Sequence, residues 1–420
     1  MITGKQNIKC GLIGEKLSHS FSPQIHKNLA DYSYELFELS ECEVKSFLES
    51  DRYDCLNVTM PYKKTVIPYL DEISDEASRI GSVNTIVKGK DGKKRGYNTD
   101  YYGFLQLVKQ SGIEIKNKSV LILGTGGASL TAKAVSEDLG AKNITFVSRS
   151  GYINYENVYE KCPDANVIIN CTPVGMYPKS NGEAPVALEK FKRCSGVLDM
   201  IFNPAKTKLL LDAERLGIPS ANGLLMLVAQ AKRACELFLG ERVADSETDR
   251  IASLIAKETG NIILVGMPGC GKTTVASLLA EITGRKLIDT DEMITAASGK
   301  TPAQIINSCG EEEFRQIEHE QIKSAGKMSG MIISTGGGVV TRRENFEPLR
   351  QNGKIFFIHR SLDKLATNDR PLSQQSKLDE MYRVRLPLYR EICDIEVSND
   401  ASAEECAAEI LKNYGKAYEK

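Results

Sequence analysis

The chain of 420 residues is longer than a typical single domain, so two or three domains are expected. Hydrophobic residues make up 41% and charged residues 26%, which are ordinary globular values, and the balance of 54 basic against 55 acidic residues excludes the strong positive charge of a typical nucleic-acid binder. No apolar run reaches the roughly 18 residues of a membrane span, and the N-terminus does not resemble a signal peptide. The 11 cysteines form no CxxC pair, which predicts free thiols. We therefore expect a cytoplasmic protein without nucleic-acid or membrane partners.

Short apolar strands alternate with helical patterns from about residue 7 to about 105. Strands are predicted at 8–13, 53–58 and 83–87, and a helix is predicted to begin at Pro23. This alternation predicts a mainly parallel α/β sheet. The basic run KGKDGKKR at 88–95 is typical of a solvated hairpin turn.

The pattern between about 118 and 220 is that of a βαβ nucleotide-binding unit. A buried strand at 120–123 precedes the glycine turn GTGGAS at 124–129, and a helix follows to 139. Further strands are predicted at 143–147 and 166–170. Beyond them, a helix at 224–239 is expected to stop at Gly240.

The turn GTGGAS lies between a strand and a helix, which is the context that a dinucleotide fingerprint requires. Gly124 permits the tight turn, Gly126 lets a pyrophosphate approach the backbone, and the helix N-terminus supplies free N–H groups. The third glycine of the motif is replaced by Ser129, so the turn alone is also compatible with a plain βα connection. The predicted cofactor-binding residues of this loop are Gly124, Gly126, Gly127, Ala128 and Ser129.

The strand after this helix ends in Val147-Ser148-Arg149 and not in an acidic residue. A carboxylate there would bind the ribose hydroxyls of NAD, whereas Arg149 is suited to the 2′-phosphate of NADP. The sequence therefore favours NADP(H). The alternative for Arg149 is a solvated surface cation.

A charged stretch without Pro or Gly at 241–258 predicts a helical connector, and a new unit begins at Asn261. The string Gly266-Met-Pro-Gly-Cys-Gly-Lys-Thr273 matches GxxxxGK[ST] in full. Its backbone N–H groups would cradle the phosphates of ATP, Lys272 would reach the β and γ groups, and Thr273 would ligate Mg²⁺. The predicted nucleotide-binding residues are Gly269, Cys270, Gly271, Lys272, Thr273 and Thr274.

Four strings surround the first glycine loop: SHSFSP at 18–23, NVTMPYK at 57–63, VNT at 83–85 with NTD at 98–100, and MLVAQA at 226–231. In this order they resemble shikimate dehydrogenase over roughly residues 7–240. The resemblance implies that Ser20 and Ser22 bind the substrate carboxylate. It implies that the ring hydroxyls are held by Asn57, Thr59, Asn84, Asp100 and Gln230.

The same resemblance makes Lys63 and Asp100 the catalytic pair. A lysine can stabilise the charge that develops on a reduced ketone and deliver a proton, while a carboxylate orients it. The alternative for Lys63 is an exposed lysine at a helix start. The chain departs from the family at Phe202, where a Tyr is common, and it lacks a second Arg shortly after Arg149.

Five strings follow the phosphate loop: DTD at 289–291, GEEEFR at 310–315, STGGG at 334–338, DRPL at 369–372 and RLPLY at 385–389. Each alone has a structural reading, such as a helix cap or a flexible turn. Together they resemble shikimate kinase across about residues 260–415.

This second resemblance assigns roles to single residues. Asp289 would position Mg²⁺ together with Thr273, and Asp291 would bind the accepting hydroxyl and act as base. Arg315 and Arg385 would grip the substrate carboxylate; the alternative for both is a surface ion pair. The remaining assignments are Gly336, Gly337 and Gly338 against the substrate ring, and Arg370 in a lid over the phosphates.

The segment 361–371 is shorter than the family's lid and lacks its earlier Arg, which motivates an alternative in which the second half binds ATP as a weakly active or regulatory module. The retained Asp291, Arg315, Arg370 and Arg385 argue against that alternative. Phe202 similarly leaves quinate or another cyclohexane acid as an alternative substrate of the first half. The oligomeric state is not readable from the sequence.

The complete expectation is an α/β protein with three domains. An α/β substrate domain at 1–105, completed by a helix at about 222–240, precedes a Rossmann-like NADP domain at 106–240. After the connector at 241–258, an NMP-kinase-like P-loop domain fills 259–420. We expect reduction of 3-dehydroshikimate to shikimate and its subsequent phosphorylation at the 3-hydroxyl.

Overall fold

The structure is a computed structural model that describes residues 8–18, 20–180, 182–365 and 372–418, with only the backbone at 372–377. The chain divides into two compact units. Unit 1 holds the residues up to Val174 together with Ala184–Phe202 and Asp212–Ala252; unit 2 holds Gly175–Glu183, Asn203–Leu211 and the chain from Ser253 onward. No helix in the described part of the chain has the length and apolarity to cross a membrane.

The first sheet of unit 1 contains six strands. The strands are β1 (Lys9–Gly14), β2 (Ser33–Glu38), β3 (Cys55–Val58), β4 (Glu72–Ile73), β5 (Thr85–Lys88) and β6 (Lys94–Tyr97), and the helices are α1 (Ser22–Leu29), α2 (Glu41–Leu48), α3 (Asp75–Ile80) and α4 (Thr99–Ser111). In the order β2-β1-β3-β5-β6-β4, β5 runs antiparallel to β3 and β6, and the other neighbours are parallel. The sheet is therefore mixed, because the hairpin turn predicted from the basic run reverses the chain between β5 and β6. Arg95 flanks that turn and pairs with Asp91 and Glu72.

The second sheet of unit 1 is wholly parallel. The strands are β7 (Ser119–Leu123), β8 (Asn143–Val147), β9 (Val167–Asn170), β10 (Gly196–Asp199) and β11 (Ser220–Ala221). The helices along this part of the chain are α5 (Gly127–Asp138), α6 (Val158–Lys161), α7 (Lys208–Arg215) and α8 (Leu224–Leu239), of which α7 begins in unit 2. The order is β11-β10-β9-β7-β8, so β7 lies where the strand order reverses. Ligands of such sheets bind at that reversal, outside the carboxyl ends of the strands. The turn GTGGAS leaves β7 at this point.

The sheet of unit 2 is also parallel. Its strands are β12 (Asn261–Val265), β13 (Leu287–Asp289), β14 (Ile332–Ser334), β15 (Gly353–His359) and β16 (Ile395–Ser398), and their order in the sheet is β13-β14-β12-β15-β16. The α-helices from residue 246 onward are α9 (Ser246–Thr259), α10 (Lys272–Thr283), α11 (Thr290–Ser298), α12 (Pro302–Cys309), α13 (Glu311–Gly326), α14 (Phe346–Gln351), α15 (Leu372–Ile392) and α16 (Ala403–Lys416). All five residues of β12 are buried, as expected of a central parallel strand covered on both faces. The phosphate loop follows β12, again where the strand order reverses.

Most predicted elements agree with these bounds within two residues. The helix expected at 224–239 is α8 without change, and Gly240 ends it in the left-handed conformation. The helical connector is α9, and the division between the two units falls within it, at Ala252. The three domain limits expected from the sequence remain proposals.

Close packing of α4 on α8 depends on Gly103. A Cβ added at Gly103 would lie 2.7 Å from the carbonyl oxygen of Met226 and 3.0 Å from Cβ of Gln230. We expect Gly103→Ala to lower the free energy of unfolding of unit 1 by about 1–3 kcal/mol, because backbone atoms must move apart. Urea unfolding of the full chain measures this. Gln110→Ala, at an exposed position of the same helix, is the control and should stay within about 0.5 kcal/mol. Equal stability of both variants would contradict the prediction.

Candidate active sites

The centre of the unit 1 site is an ion pair between Lys63 and Asp100. Lys63 Nζ lies 2.6 Å from Asp100 Oδ2, and the two side chains are 26% and 17% exposed. Lys63 is in the turn after β3, and Asp100 is in the first turn of α4. The side chain of Asn98 caps α4 by accepting the N–H of Tyr101, and this fixes where the carboxylate points. A half-buried charged pair open to solvent on one side can deliver a proton to a bound ligand.

A cluster of polar side chains includes Thr99, the residue before Asp100. Asn84 Oδ1 accepts the backbone N–H of Thr99 at 2.7 Å, and the Thr99 hydroxyl is 3.5 Å from Gln230 Oε1. Asn57 donates to Thr85 Oγ1 at 3.2 Å and accepts from the Tyr34 hydroxyl at 2.8 Å. Asn57, Asn84 and Gln230, predicted from separate strings, thus belong to one hydrogen-bonded region.

The serines of the first string lie at the start of α1. Ser20 Oγ accepts the N–H of Ser22 at 3.2 Å. Burial raises the pKa of Tyr34, and a hydrogen bond with Ser22 opposes that shift, so Tyr34 connects Ser22 to Asn57. Thr59 follows β3 and donates its N–H to Ile13 O. Phe202 packs edge-on against Phe21 with ring centroids 5.7 Å apart.

The first glycine loop leaves open space above the N-terminus of α5. Gly124 has φ +99° and donates its N–H to Val147 O. A Cβ added at Gly126 or Gly127 would meet nothing within 4 Å, so the protein itself does not require glycine there. The space and the uncapped N–H groups of α5 fit a cofactor phosphate. The hydroxyl of Ser129 is buried and donates to Gly126 O, so it holds the turn and does not face the space.

Arg149 is exposed and follows β8 by two residues. Its positive charge lowers the pKa of Tyr155, which burial raises, so the two side chains are neighbours. Asn154 and Asn157, on either side of Tyr155, accept one another's backbone N–H groups and fix this loop. Arg149 is exposed at the end of β8, and its contact with the 2′-phosphate of NADP stays a prediction.

The unit 2 phosphate loop is a glycine cradle. Gly266, Gly269 and Gly271 have φ values of +155°, +80° and +93°, which favour glycine. Lys272 is buried, and its ammonium donates to the carbonyl oxygens of Gly266 at 2.9 Å and Met267 at 3.0 Å. Cys270 is buried, whereas Thr273 and Thr274 are exposed at the start of α10. The exposed hydroxyl of Thr273 fits a Mg²⁺ ligand.

The two aspartates of the DTD string act differently. Asp289 ends β13 and caps α11, with Oδ1 accepting the N–H of Asp291 at 2.9 Å. The cap alternative considered for this string is therefore correct for Oδ1 of Asp289, and the metal role of Asp289 stays a prediction. Burial raises the pKa of Asp291, and the negative charge of Asp289 raises it further. A carboxylate with a raised pKa is a better proton acceptor.

The three glycines after β14 are required by their neighbours. A Cβ at Gly336 would lie 2.8 Å from Asp291 Oδ1, one at Gly337 2.6 Å from the ring of Pro268, and one at Gly338 2.3 Å from the Arg315 guanidinium. A side chain at Gly337 would collide with the ring and backbone of Pro268, whereas one at Gly336 or Gly338 would displace the Asp291 carboxylate or the Arg315 guanidinium. The string GGG is thus a place of close approach and not merely a flexible turn. Gly337 O also accepts hydrogen bonds from Arg385 at 3.1 Å and from Tyr389.

Arg315 lies between two glutamates of α13. It donates to Glu318 at 2.7 Å and to Glu311 at 3.1 Å, yet it is only 11% exposed. Within the described residues its Nε is buried without a partner, and so is Oε1 of Glu318. The helical spacing of these two pairs is that of a surface ion pair, the alternative considered for Arg315, but the Arg315 side chain is largely buried. Arg315 therefore keeps a donor for an anionic ligand.

Two residues of these sites were missed from the sequence. Thr99 connects Asn84 to Gln230, and the only signal was its place inside NTD. Glu318 is 1% exposed, and burial raises its pKa although Arg315 acts in the opposite direction. Its spacing of three residues after Arg315 was an available signal. The predicted lid residue Arg370 lies outside the described residues.

Comparisons with known proteins divide the chain in the same way. The family model for the shikimate dehydrogenase substrate binding domain matches residues 12–86, and the model for shikimate kinase matches residues 268–414. A shikimate dehydrogenase (NADP(+)) of Clostridium perfringens is 40% identical over 267 residues, which cover 57% of this chain and 96% of the relative.

The chain belongs to the shikimate dehydrogenase family. Its C-terminal part carries a shikimate kinase domain. A chorismate mutase/shikimate 5-dehydrogenase fusion protein of Clostridium acetobutylicum superposes with a TM-score of 0.56 at 36% identity, covering 59% of this chain and 97% of that one. A quinate dehydrogenase of Corynebacterium glutamicum in complex with NAD gives a TM-score of 0.54 at 25% identity, covering 59% and 97%. The resemblances stated from the sequence, and the α/β fold class, are confirmed.

Proposed function

We propose that this chain is a bifunctional enzyme that reduces 3-dehydroshikimate to shikimate with NADPH and then phosphorylates shikimate with ATP and Mg²⁺. The observation that carries the proposal is the presence, in separate units, of a lysine–carboxylate pair beside an open glycine loop and of a phosphate loop beside Asp291 and Arg315. The family matches to the two halves support the two activities separately.

In unit 1 the reduction requires a proton at the carbonyl oxygen. Lys63 would donate that proton and stabilise the developing negative charge, and Asp100 would orient the ammonium across their 2.6 Å contact. NADPH, bound by the GTGGAS loop and Arg149, supplies the hydride. Ser20 and Ser22 would bind the carboxylate, while Asn57, Thr59, Asn84 and Gln230 would hold the ring hydroxyls.

In unit 2 the accepting hydroxyl must lose a proton. Asp291 would accept it, and the glycines at 336–338 would let the ring approach. Arg315 and Arg385 would bind the substrate carboxylate. ATP, with Mg²⁺ held by Thr273 and Asp289, supplies the phosphoryl group. Lys272 would exchange its two loop carbonyls for phosphate oxygens, and Arg370 is proposed to act from the lid.

One coupled assay tests the whole proposal. Full-length protein is mixed with 3-dehydroshikimate, NADPH, ATP and Mg²⁺, and NADPH absorbance and ADP release are followed together. We expect ADP release to begin only after oxidation of NADPH has produced shikimate. NADPH consumption without ADP, even when shikimate is added, would favour the regulatory alternative for unit 2.

Quinate is the second candidate substrate of unit 1. The similarity to a quinate dehydrogenase and the apolar contact of Phe202 with Phe21 favour it. The ratio of kcat/KM for shikimate and quinate decides between them.

Single lysine variants should separate the two activities. Lys63→Ala should lower dehydrogenase kcat by about 10²-fold or more, because the proton donor is lost, and leave kinase kcat unchanged. Lys272→Ala should do the reverse, because the phosphate charge is no longer compensated. Both rates are measured on each variant, together with thermal unfolding. Loss of both activities in a folded variant would contradict the two-site model.

Glu318 is expected to position Arg315. Glu318→Gln removes the buried charge that fixes the guanidinium, so the KM for shikimate should rise about tenfold while the KM for ATP stays constant. The matched control is Glu311→Gln, since Glu311 contacts the same arginine but is 67% exposed. Exposed pairs contribute little, and this variant should change KM less than about twofold. An equal change of the KM for shikimate in both variants would mean that Glu318 does not position the Arg315 guanidinium.

As the pH is lowered, kinase activity should begin to fall at a higher pH than the ordinary pKa of an aspartate would predict. Asp291 must be deprotonated to accept a proton, and burial, the largest cause, raises its pKa; the further effect of the Asp289 charge is offset where that carboxylate holds Mg²⁺. The acid limb of kcat/KM for shikimate should therefore lie above about pH 3.9, the usual midpoint for aspartate. Initial rates across the acid range measure it, with thermal unfolding at each pH as the control. A limb at or below the ordinary midpoint would contradict the role of Asp291 as base.

A further inference from the structure

The guanidinium of Arg360 lies beside the phosphate loop. Arg360 is the first residue after β15, which pairs with β12, the strand that leads into the loop. A Cβ added at Gly266 would lie 2.5 Å from Ile358 O, so the two chain segments touch where both leave the sheet. A Cβ added at Gly271 would lie 3.9 Å from Arg360 Nη1. The charge of Arg360 is thus within a short distance of the loop's last glycine.

The same side chain has an unused donor. Arg360 Nε is buried and has no hydrogen-bond partner among the described residues. A buried N–H group without a partner destabilises the fold, so such a group is expected to serve a ligand. The loop next to it is fixed, because Asn399 donates to Cys270 O at 2.8 Å. A rigid loop with an adjacent, incompletely bonded guanidinium suits a polyanion.

We propose that Arg360 is a nucleotide-binding residue that contacts the phosphate chain of the ATP or ADP held by the phosphate loop. The guanidinium adds a second positive charge to that of Lys272, on the side of the loop formed by β15 and β16. Guanidinium groups match phosphate oxygens with paired hydrogen bonds. The proposal rests on the proposed function only in that the phosphate loop binds an adenine nucleotide.

The test is equilibrium binding of ADP with Mg²⁺ to the full-length protein, measured by titration calorimetry. Arg360→Gln removes the charge and should raise the Kd for ADP about tenfold, while Arg360→Lys should recover part of the lost affinity. Arg343→Ala is the matched control, because Arg343 is 70% exposed and pairs with Glu391 on the same unit. It should bind ADP as the unchanged protein does. Dehydrogenase rate and thermal unfolding report whether each variant is folded.

An unchanged Kd in Arg360→Gln would overturn the proposal, and so would an equal loss of affinity in Arg343→Ala. Failure of the proposed function is a different result. It would appear as ADP that binds normally while no ADP is released from ATP in the presence of shikimate.

Discussion

Both glycine loops depend on one constraint of parallel sheets. Where a parallel strand ends, the chain turns into a helix whose first N–H groups have no partners within the helix. At β7 and at β12 the strand order reverses, so the connections that follow run to opposite sides of the sheet and leave a crevice between them. Gly124 and the glycines of the second loop make the turns tight enough to expose those N–H groups. The chemistry of each unit is arranged around that opening.

In unit 2 the constraint extends to every strand of the sheet. The phosphate loop follows β12, Asp289 ends β13, the three glycines follow β14, Arg360 follows β15 and Asn399 follows β16. A parallel sheet collects its carboxyl ends at one edge, so residues far apart in sequence converge without long loops. The cost of that convergence is the burial of charges, and it raises the pKa values of Asp291 and Glu318.

Periodicity and glycine strings were enough to predict most elements and both loops, because these features depend on local geometry. The antiparallel pairing of β5 with β3 was not predicted from its apolar pattern, although the basic turn that reverses the chain between β5 and β6 was. Side-chain contacts were harder. Nothing local distinguishes Glu318 from Glu311, since both have helical spacing from Arg315, and only tertiary burial separates them: Glu318 is 1% exposed and Glu311 is 67% exposed. Ser129 was predicted to contact cofactor, whereas its hydroxyl is turned into the loop.

The two proposed sites share no residue. Lys63 and Asp100 belong to unit 1, and Asp291, Arg315 and Lys272 belong to unit 2, so neither charge constellation depends on the other for its hydrogen bonds. A fusion of this kind fixes the ratio of the two sites at one to one in every molecule. It does not by itself imply that shikimate passes directly between the sites. Direct passage would require that added free shikimate fail to dilute the intermediate, whereas full dilution is what two independent sites produce.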